Sequence, residues 1–95
     1  MLAGVCKLEL LLPENHSLKG KRQVLRKIKG KAFHRFQILV VEVDHQNLWQ
    51  RSQLGFSVVG TEEGKVTSLI DGIVQFVEAL GEATVLRKEV QIVEV

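Results

Sequence analysis

The amino-acid sequence predicts a small α+β domain with four β-strands and two amphipathic helices. Apolar residues occupy every second position over 2–12, which is typical of a strand with one buried face. They recur every three or four positions over 18–36 and again over 62–80, which is typical of a helix with one buried face. The segments between and after the helices are rich in Ile, Val and Leu. The predicted order is therefore β-α-β-β-α-β.

The first strand ends at Pro13, and its alternation places Cys6 on the apolar face. The first helix follows Ser17, a residue type that caps helix N-termini with its side-chain oxygen. On a helical wheel, one face of this helix is apolar. The residues on that face are Leu18, Leu25, Ile28, Ala32 and Phe36.

A second strand is predicted over 37–44 and a third over 52–60, with a connection at 45–51. Both segments are rich in apolar residues, and the connection is mostly polar. In the third strand the alternation predicts that Leu54 and Phe56 point toward the core.

The second helix is predicted to begin with Thr61 as its cap and to end near Gly81, a residue type frequent at helix C-termini. The last strand is predicted over 83–95, with Val90 and Ile92 toward the core. With right-handed crossovers and both helices on one face, this order of elements gives a ferredoxin-like sandwich. We expect a four-stranded antiparallel sheet with strand order 4-1-3-2.

The composition indicates one domain, over 1–95. The chain is 45% hydrophobic and can bury a core without disulfides or metals. Its apolar runs are shorter than the roughly 18 residues of a membrane span, and its N-terminus lacks a signal-peptide pattern. It has a single cysteine, and its three histidines lack metal-ligand spacing. We expect a cytoplasmic protein without membrane association, metal or cofactor.

The first predicted helix concentrates positive charge. Residues 17–36 contain eight of the chain's 13 lysines and arginines and no acid. Lys27, Lys31 and Arg35 form like-charge i,i+4 pairs, which destabilise an isolated helix by about 0.2–0.5 kcal/mol each. An anionic partner explains this pattern better than an ordinary solvated face does. The predicted nucleic-acid contacts are Lys19, Arg22, Arg26, Lys27, Lys29, Lys31 and Arg35.

The segment 44–51, DHQNLWQR, allows two interpretations. We favour the one in which this connection folds over the edge of the core with Trp49 half-buried, because aromatic side chains pack more often than they recognise partners. In the other, Trp49 contacts a partner or ligand, with His45 and Arg51 as hydrogen-bond donors. Together with His16, which precedes the first helix, these three residues are the candidate partner or ligand contacts.

Several short motifs lie in the segments 11–36 and 40–59. They are Ser17-Leu18-Lys19, Lys21-Arg22, Glu42, His45-Gln46, Trp49-Gln50-Arg51 and Leu54-Gly55. In these motifs the chain resembles, over essentially its whole length, the YlxP-like family of small bacterial proteins, a domain of unknown function. It departs from that family at Gly20, where Glu is usual, and at Asn47, where Asp is frequent. The resemblance implies a ferredoxin-like fold, a cytoplasmic location and, through neighbouring genes for translation and ribosome-maturation factors, a link to RNA.

Three functional hypotheses follow. The favoured one is a non-catalytic RNA-binding or ribosome-associated module that uses the basic helix. The second is a small enzyme for an anionic or phosphorylated metabolite, with His16, Arg22 and His45 around a pocket. The third is an interaction protein that forms a homodimer through an apolar outward face of the sheet. The apolar residues predicted on that face are Val5, Leu11, Ile38, Val40, Val59, Val85 and Val93.

Overall fold

The computed structural model describes all 95 residues and contains the six predicted elements in the predicted order. The elements are β1 (Leu2–Leu11), α1 (Leu18–Phe36), β2 (Val41–Asp44), β3 (Arg51–Gly60), α2 (Glu63–Ala79) and β4 (Thr84–Glu94). Neither α1 nor α2 combines the length and the apolar character that crossing a membrane requires.

The four strands form one antiparallel sheet with the order β2-β3-β1-β4, which confirms the predicted topology. β1 lies in the interior of the sheet, where Cys6 faces Phe56 of β3 on one side and Val90 of β4 on the other. β2 and β4 are the edge strands. Both helices contribute to a single core cluster with the inner face of β1 and β3, so the helices cover one face and leave the other uncovered.

The core lies between the inner sheet face and the two helices. Cys6 is fully buried, and burial raises the pKa of its thiol to about 11. At Gly4 a Cβ atom would lie 2.6 Å from Ile70 Cδ1 and 2.7 Å from Val66 Cγ1. The absence of a side chain at Gly4 therefore lets α2 pack closely on β1.

The second strand is shorter than predicted, and its sides are reversed. α1 ends at Phe36, and the left-handed backbone of the cap residue Gln37 (φ 56°) turns the chain, so β2 begins only at Val41. Glu42 pairs with Leu54 on the inner face of the sheet, and Val40 is buried on that side. Ile38 also packs against the core, so the outward positions predicted for Ile38 and Val40 are wrong.

A bulge changes the sides of β4 as well. The register with β1 shifts between Glu9 and Leu10, so that Val85 faces Leu10 and packs against the core. The outward position predicted for Val85 is therefore wrong, and the neighbouring Leu86 is exposed instead. Ile92 packs against the core as predicted, whereas Val90 is 40% exposed on the edge strand.

One of the two predicted ends of α2 is confirmed and the other is wrong. The cap position is Glu62 and not Thr61, and its side chain makes no capping hydrogen bond. Gly81 has φ 69°, a left-handed conformation that suits glycine, and follows the end of the helix as predicted.

Candidate nucleic-acid interface

One row of α1 residues faces the core, and it includes a lysine. Lys21, Leu25, Ile28 and Ala32, spaced by four, three and four residues, are the buried residues of the helix. Lys21 is only 2% exposed, which is rare for a lysine, and it was not among the residues predicted on the apolar face. Its spacing from Leu25 and Ile28 was the signal that could have identified it as core-facing.

The positive charge of Lys21 is compensated inside the protein by a carboxylate. Its Nζ lies 2.8 Å from Glu42 Oε2 on β2 and donates a hydrogen bond to the His45 carbonyl oxygen at 2.5 Å. The buried Ser52 donates its hydroxyl to Glu42 Oε2 at 2.7 Å. Burial alone would raise the pKa of Glu42. The hydrogen bonds from Lys21 and Ser52, with the charges of Lys21 and Lys29, outweigh it and hold that pKa below its ordinary value of 4.5.

Most of the other cations of α1 have no acidic partner. Lys27 forms an ion pair of 2.7 Å with Glu82, just before β4, and is half exposed. Arg35 lies 5.9 Å from the centre of the Phe36 ring, a cation–π contact that leaves its charge uncompensated. The cations of α1 without a carboxylate within 4.0 Å are Lys19, Arg22, Arg26, Lys29, Lys31 and Arg35.

The flank of α1 next to β2 carries three of these cations. Arg22, Arg26 and Lys29 follow one another at i, i+4 and i+7, so they lie in one row along the helix. They form one wall of a groove of about 540 Å³ between α1 and the segment 38–42, which we call the α1–β2 groove. Lys31 and Arg35 lie on the opposite flank of the helix.

Side-chain hydrogen bonds hold the two loops beside the N-terminus of α1. Ser17 Oγ accepts a hydrogen bond of 2.9 Å from the Gly20 backbone N–H, which confirms the predicted cap. Asn15 Nδ2 donates to the carbonyl oxygens of Ser17 and Trp49. Gln50 Nε2 donates to the carbonyl oxygen of Asn15 at 3.0 Å. The loop before α1 and the loop before β3 therefore form one connected unit.

His45 links the two faces of the sheet at this end. Its backbone is left-handed (φ 65°), and its carbonyl oxygen accepts the Lys21 hydrogen bond on the helix side. Its ring Nε2 lies 3.1 Å from Glu9 Oε1, and Glu9 belongs to the outward row of β1. His45 therefore contacts one residue on each side of the sheet, Lys21 and Glu9.

The residues of the predicted enzyme site do not meet around one cavity. Arg22 lines a cavity of about 250 Å³ together with Glu42, Gln46 and other residues near the start of α1. Neither His16 nor His45 lines this cavity or any of the other four. His16 is an exposed loop residue.

Trp49 is more exposed than predicted. It has 55% of its surface accessible and is not among the side chains packed against the core, and Arg51 nearby in the chain is exposed too. The exposure of both residues reverses the preference for a half-buried Trp49 and favours the second interpretation. The loop does not need the indole ring as an anchor, because the side chains of Asn15 and Gln50 hold its backbone.

Comparisons with known proteins confirm the resemblance found in the sequence. A family model described as "Protein of unknown function (DUF503)" matches residues 3–90. The chain is also similar to the "Uncharacterized protein YlxP" of Bacillus subtilis (strain 168), with 26% identity over 90 residues that cover 93% of this chain and 98% of the relative. Both matches extend from β1 into β4.

Removing Lys21 should destabilise the fold strongly. Lys21→Met leaves Glu42 without its cation and the His45 carbonyl without its donor, so the free energy of unfolding should fall by about 3–5 kcal/mol. The double variant Lys21→Met/Glu42→Met should recover most of this loss, because it removes both charges. Urea unfolding measures both, with Lys27→Met as the control for an exposed pair, where the loss should stay below about 1 kcal/mol. A Lys21→Met variant as stable as the control would contradict the role of the pair.

The low pKa of Glu42 makes stability depend on pH. Between the folded pKa and the ordinary value of 4.5, the unfolded chain binds more protons, so the free energy of unfolding rises with pH. The contribution of Glu42 is fully present above 4.5 and is lost as pH falls through the lower, folded value. Urea unfolding from about pH 6 to about pH 3 should therefore show a steeper loss for the native chain than for Glu42→Gln. If the unfolding free energies of the native chain and of Glu42→Gln changed with pH in parallel, the lowered pKa of Glu42 would be refuted.

Proposed function

The chain belongs to the DUF503 family, and we propose that it is a non-catalytic RNA-binding or ribosome-associated module with α1 as its contact surface. One contrast carries the proposal. Six of the eight cations in α1 lack a carboxylate partner, whereas four of the five cations elsewhere, all except Arg51, have one. The unpaired charge is therefore a property of one helix and not of the whole surface.

Phosphate groups are the anions that this helix suits best. Its cations are spaced along one helix whose backbone is fixed on the core through Leu25, Ile28 and Ala32. Arginine also presents a planar fork of donors that matches phosphate oxygens. A protein that contacts about five phosphates of a single strand should show a slope of log K against log salt near −3.5. Such contacts position the protein and carry little sequence information.

A membrane surface is a poorer partner for the same helix. Binding in a lipid interface requires an apolar face that is free to insert. Leu25, Ile28 and Ala32 are already buried in the protein core. The RNA proposal implies a cytoplasmic location, which cell fractionation would test.

Neutralising exposed cations of α1 should weaken RNA binding. We expect Lys19→Gln/Arg26→Gln/Lys31→Gln to bind a labelled single-stranded RNA at least about tenfold more weakly, with a salt slope smaller by about 2. The matched control is Lys7→Gln/Lys65→Gln/Lys88→Gln, which removes the same charge from cations that already have carboxylate partners. Fluorescence anisotropy at several salt concentrations measures both quantities. Equal binding by the two triple variants would count against α1 as the contact surface.

We also infer that the uncovered sheet face forms a homodimer. Val59, Ala3 and Val93 lie side by side across β3, β1 and β4 on that face, and Val59 is 61% exposed. Val5 extends the same apolar patch into the next row. Exposed apolar patches of this kind are typical of protein–protein contacts.

Sedimentation analysis would test the dimer. The native chain should sediment as a dimer at high concentration, and Val59→Lys should sediment as a monomer because it places a charge in the patch. Leu69→Lys, an exposed position on α2 and so on the opposite side of the molecule, serves as the control and should remain dimeric. A native chain that stays monomeric at high concentration would disprove the interface.

A further inference from the structure

The α1–β2 groove combines an apolar floor with a cationic wall. Leu25 and Val40 are buried at its base, and Ile38 packs against the core beside them. The wall is the row formed by Arg22, Arg26 and Lys29. The carboxylate at the end of the groove, Glu42, accepts hydrogen bonds from Lys21 and Ser52. It feels the charge of Lys29, but none of the three cations of the row lies within 4.0 Å of it.

An aromatic ring lies in the same groove without a partner inside the protein. Phe33 lines the groove and is 54% exposed, and Leu39 on the facing segment is 77% exposed. The neighbouring Phe36 behaves differently, because its ring packs edge-on against Phe76 with centroids 5.3 Å apart. Phe33 continues the row of cations, since 22, 26, 29 and 33 are spaced by four, three and four residues.

We propose that the α1–β2 groove binds single-stranded RNA, with an unpaired base against Phe33 and successive phosphates on Arg22, Arg26 and Lys29. The inference rests on the proposed function and specifies which form of RNA the protein prefers. Bases within a duplex have both faces stacked on their neighbours, so only an unpaired base can place its face on an aromatic ring. The three cations span about 10 Å of the helix axis, close to the rise of three stacked nucleotides.

An acidic peptide is the other occupant that a basic groove could take. Such a peptide would extend the sheet by pairing with the free edge of β2. That edge offers only the four residues Val41–Asp44, because the chain before them is not in strand conformation. A short edge pairs poorly with an added strand, whereas an exposed ring beside cations suits a nucleic-acid base.

The test removes the ring without changing charge. Phe33→Ala should weaken binding to a labelled single-stranded RNA about 5- to 150-fold and leave binding to a duplex RNA of equal length unchanged. The salt slope should also stay unchanged, because no cation is lost. Phe33→Tyr should bind like the native chain. The control is Leu69→Ala, which truncates an exposed apolar side chain on α2 and should have no effect. Circular dichroism checks that each variant is folded.

The outcomes separate this inference from the function on which it rests. If Phe33→Ala binds single-stranded RNA like the native chain while the triple variant of Lys19, Arg26 and Lys31 has lost binding, the groove inference is overturned and the proposed function stands. If neither variant differs from the native chain, both fail. Equal losses on single-stranded and duplex RNA overturn the preference for single strands. Binding of an acidic peptide that depends on Phe33, with no RNA binding, overturns the choice of ligand.

Discussion

The ion pair between Lys21 and Glu42 fixes how α1 is rotated on the sheet. A buried pair adds little net stability, but any arrangement that separates its charges is strongly penalised. Lys21 also donates to the His45 carbonyl, so the pair joins α1, β2 and the loop that follows β2. With Lys21 turned inward, the geometry of the helix directs Arg22 and Arg26 toward solvent. The interior contact thus sets the direction of the surface charge.

The crowded charges on α1 oppose the formation of that helix. Six unpaired cations on 19 residues repel one another, and no acid in the first turn offsets the helix dipole. The helix persists because Leu25, Ile28 and Ala32 are buried, and most helical stability in proteins comes from such packing. The acids that could have balanced α1 lie at the cap of α2, on α2 and on β4, where Glu62, Asp71 and Glu89 pair with other cations. The acids of the chain are therefore placed so that α1 keeps its positive charge, although pairing that charge would make the helix more stable.

The sequence predicted the topology because β1 and both helices have unambiguous periodicity. It could not orient β2, since two alternating sets, Ile38 with Val40 and Leu39 with Val41, are equally apolar, and only pairing with β3 distinguishes them. The predicted apolar face of α1 did not include Lys21, because lysine is rarely buried, although its spacing from Leu25 and Ile28 fits that face.

Two features of the candidate site lay beyond local patterns. Hydrogen bonds from Asn15 and Gln50 set the loop and thereby the exposure of Trp49, yet these residues are 34 and 35 positions from their partners in the chain. The α1–β2 groove is lined by residues of a helix and by residues of the segment that follows it, so the pattern of either segment alone does not predict it.

The only cysteine of the chain is buried and has a pKa of about 11, so the native chain should resist thiol reagents at neutral pH. A cysteine introduced on the surface would then accept a maleimide dye or spin label selectively, which gives direct spectroscopic access to α1 without first removing Cys6.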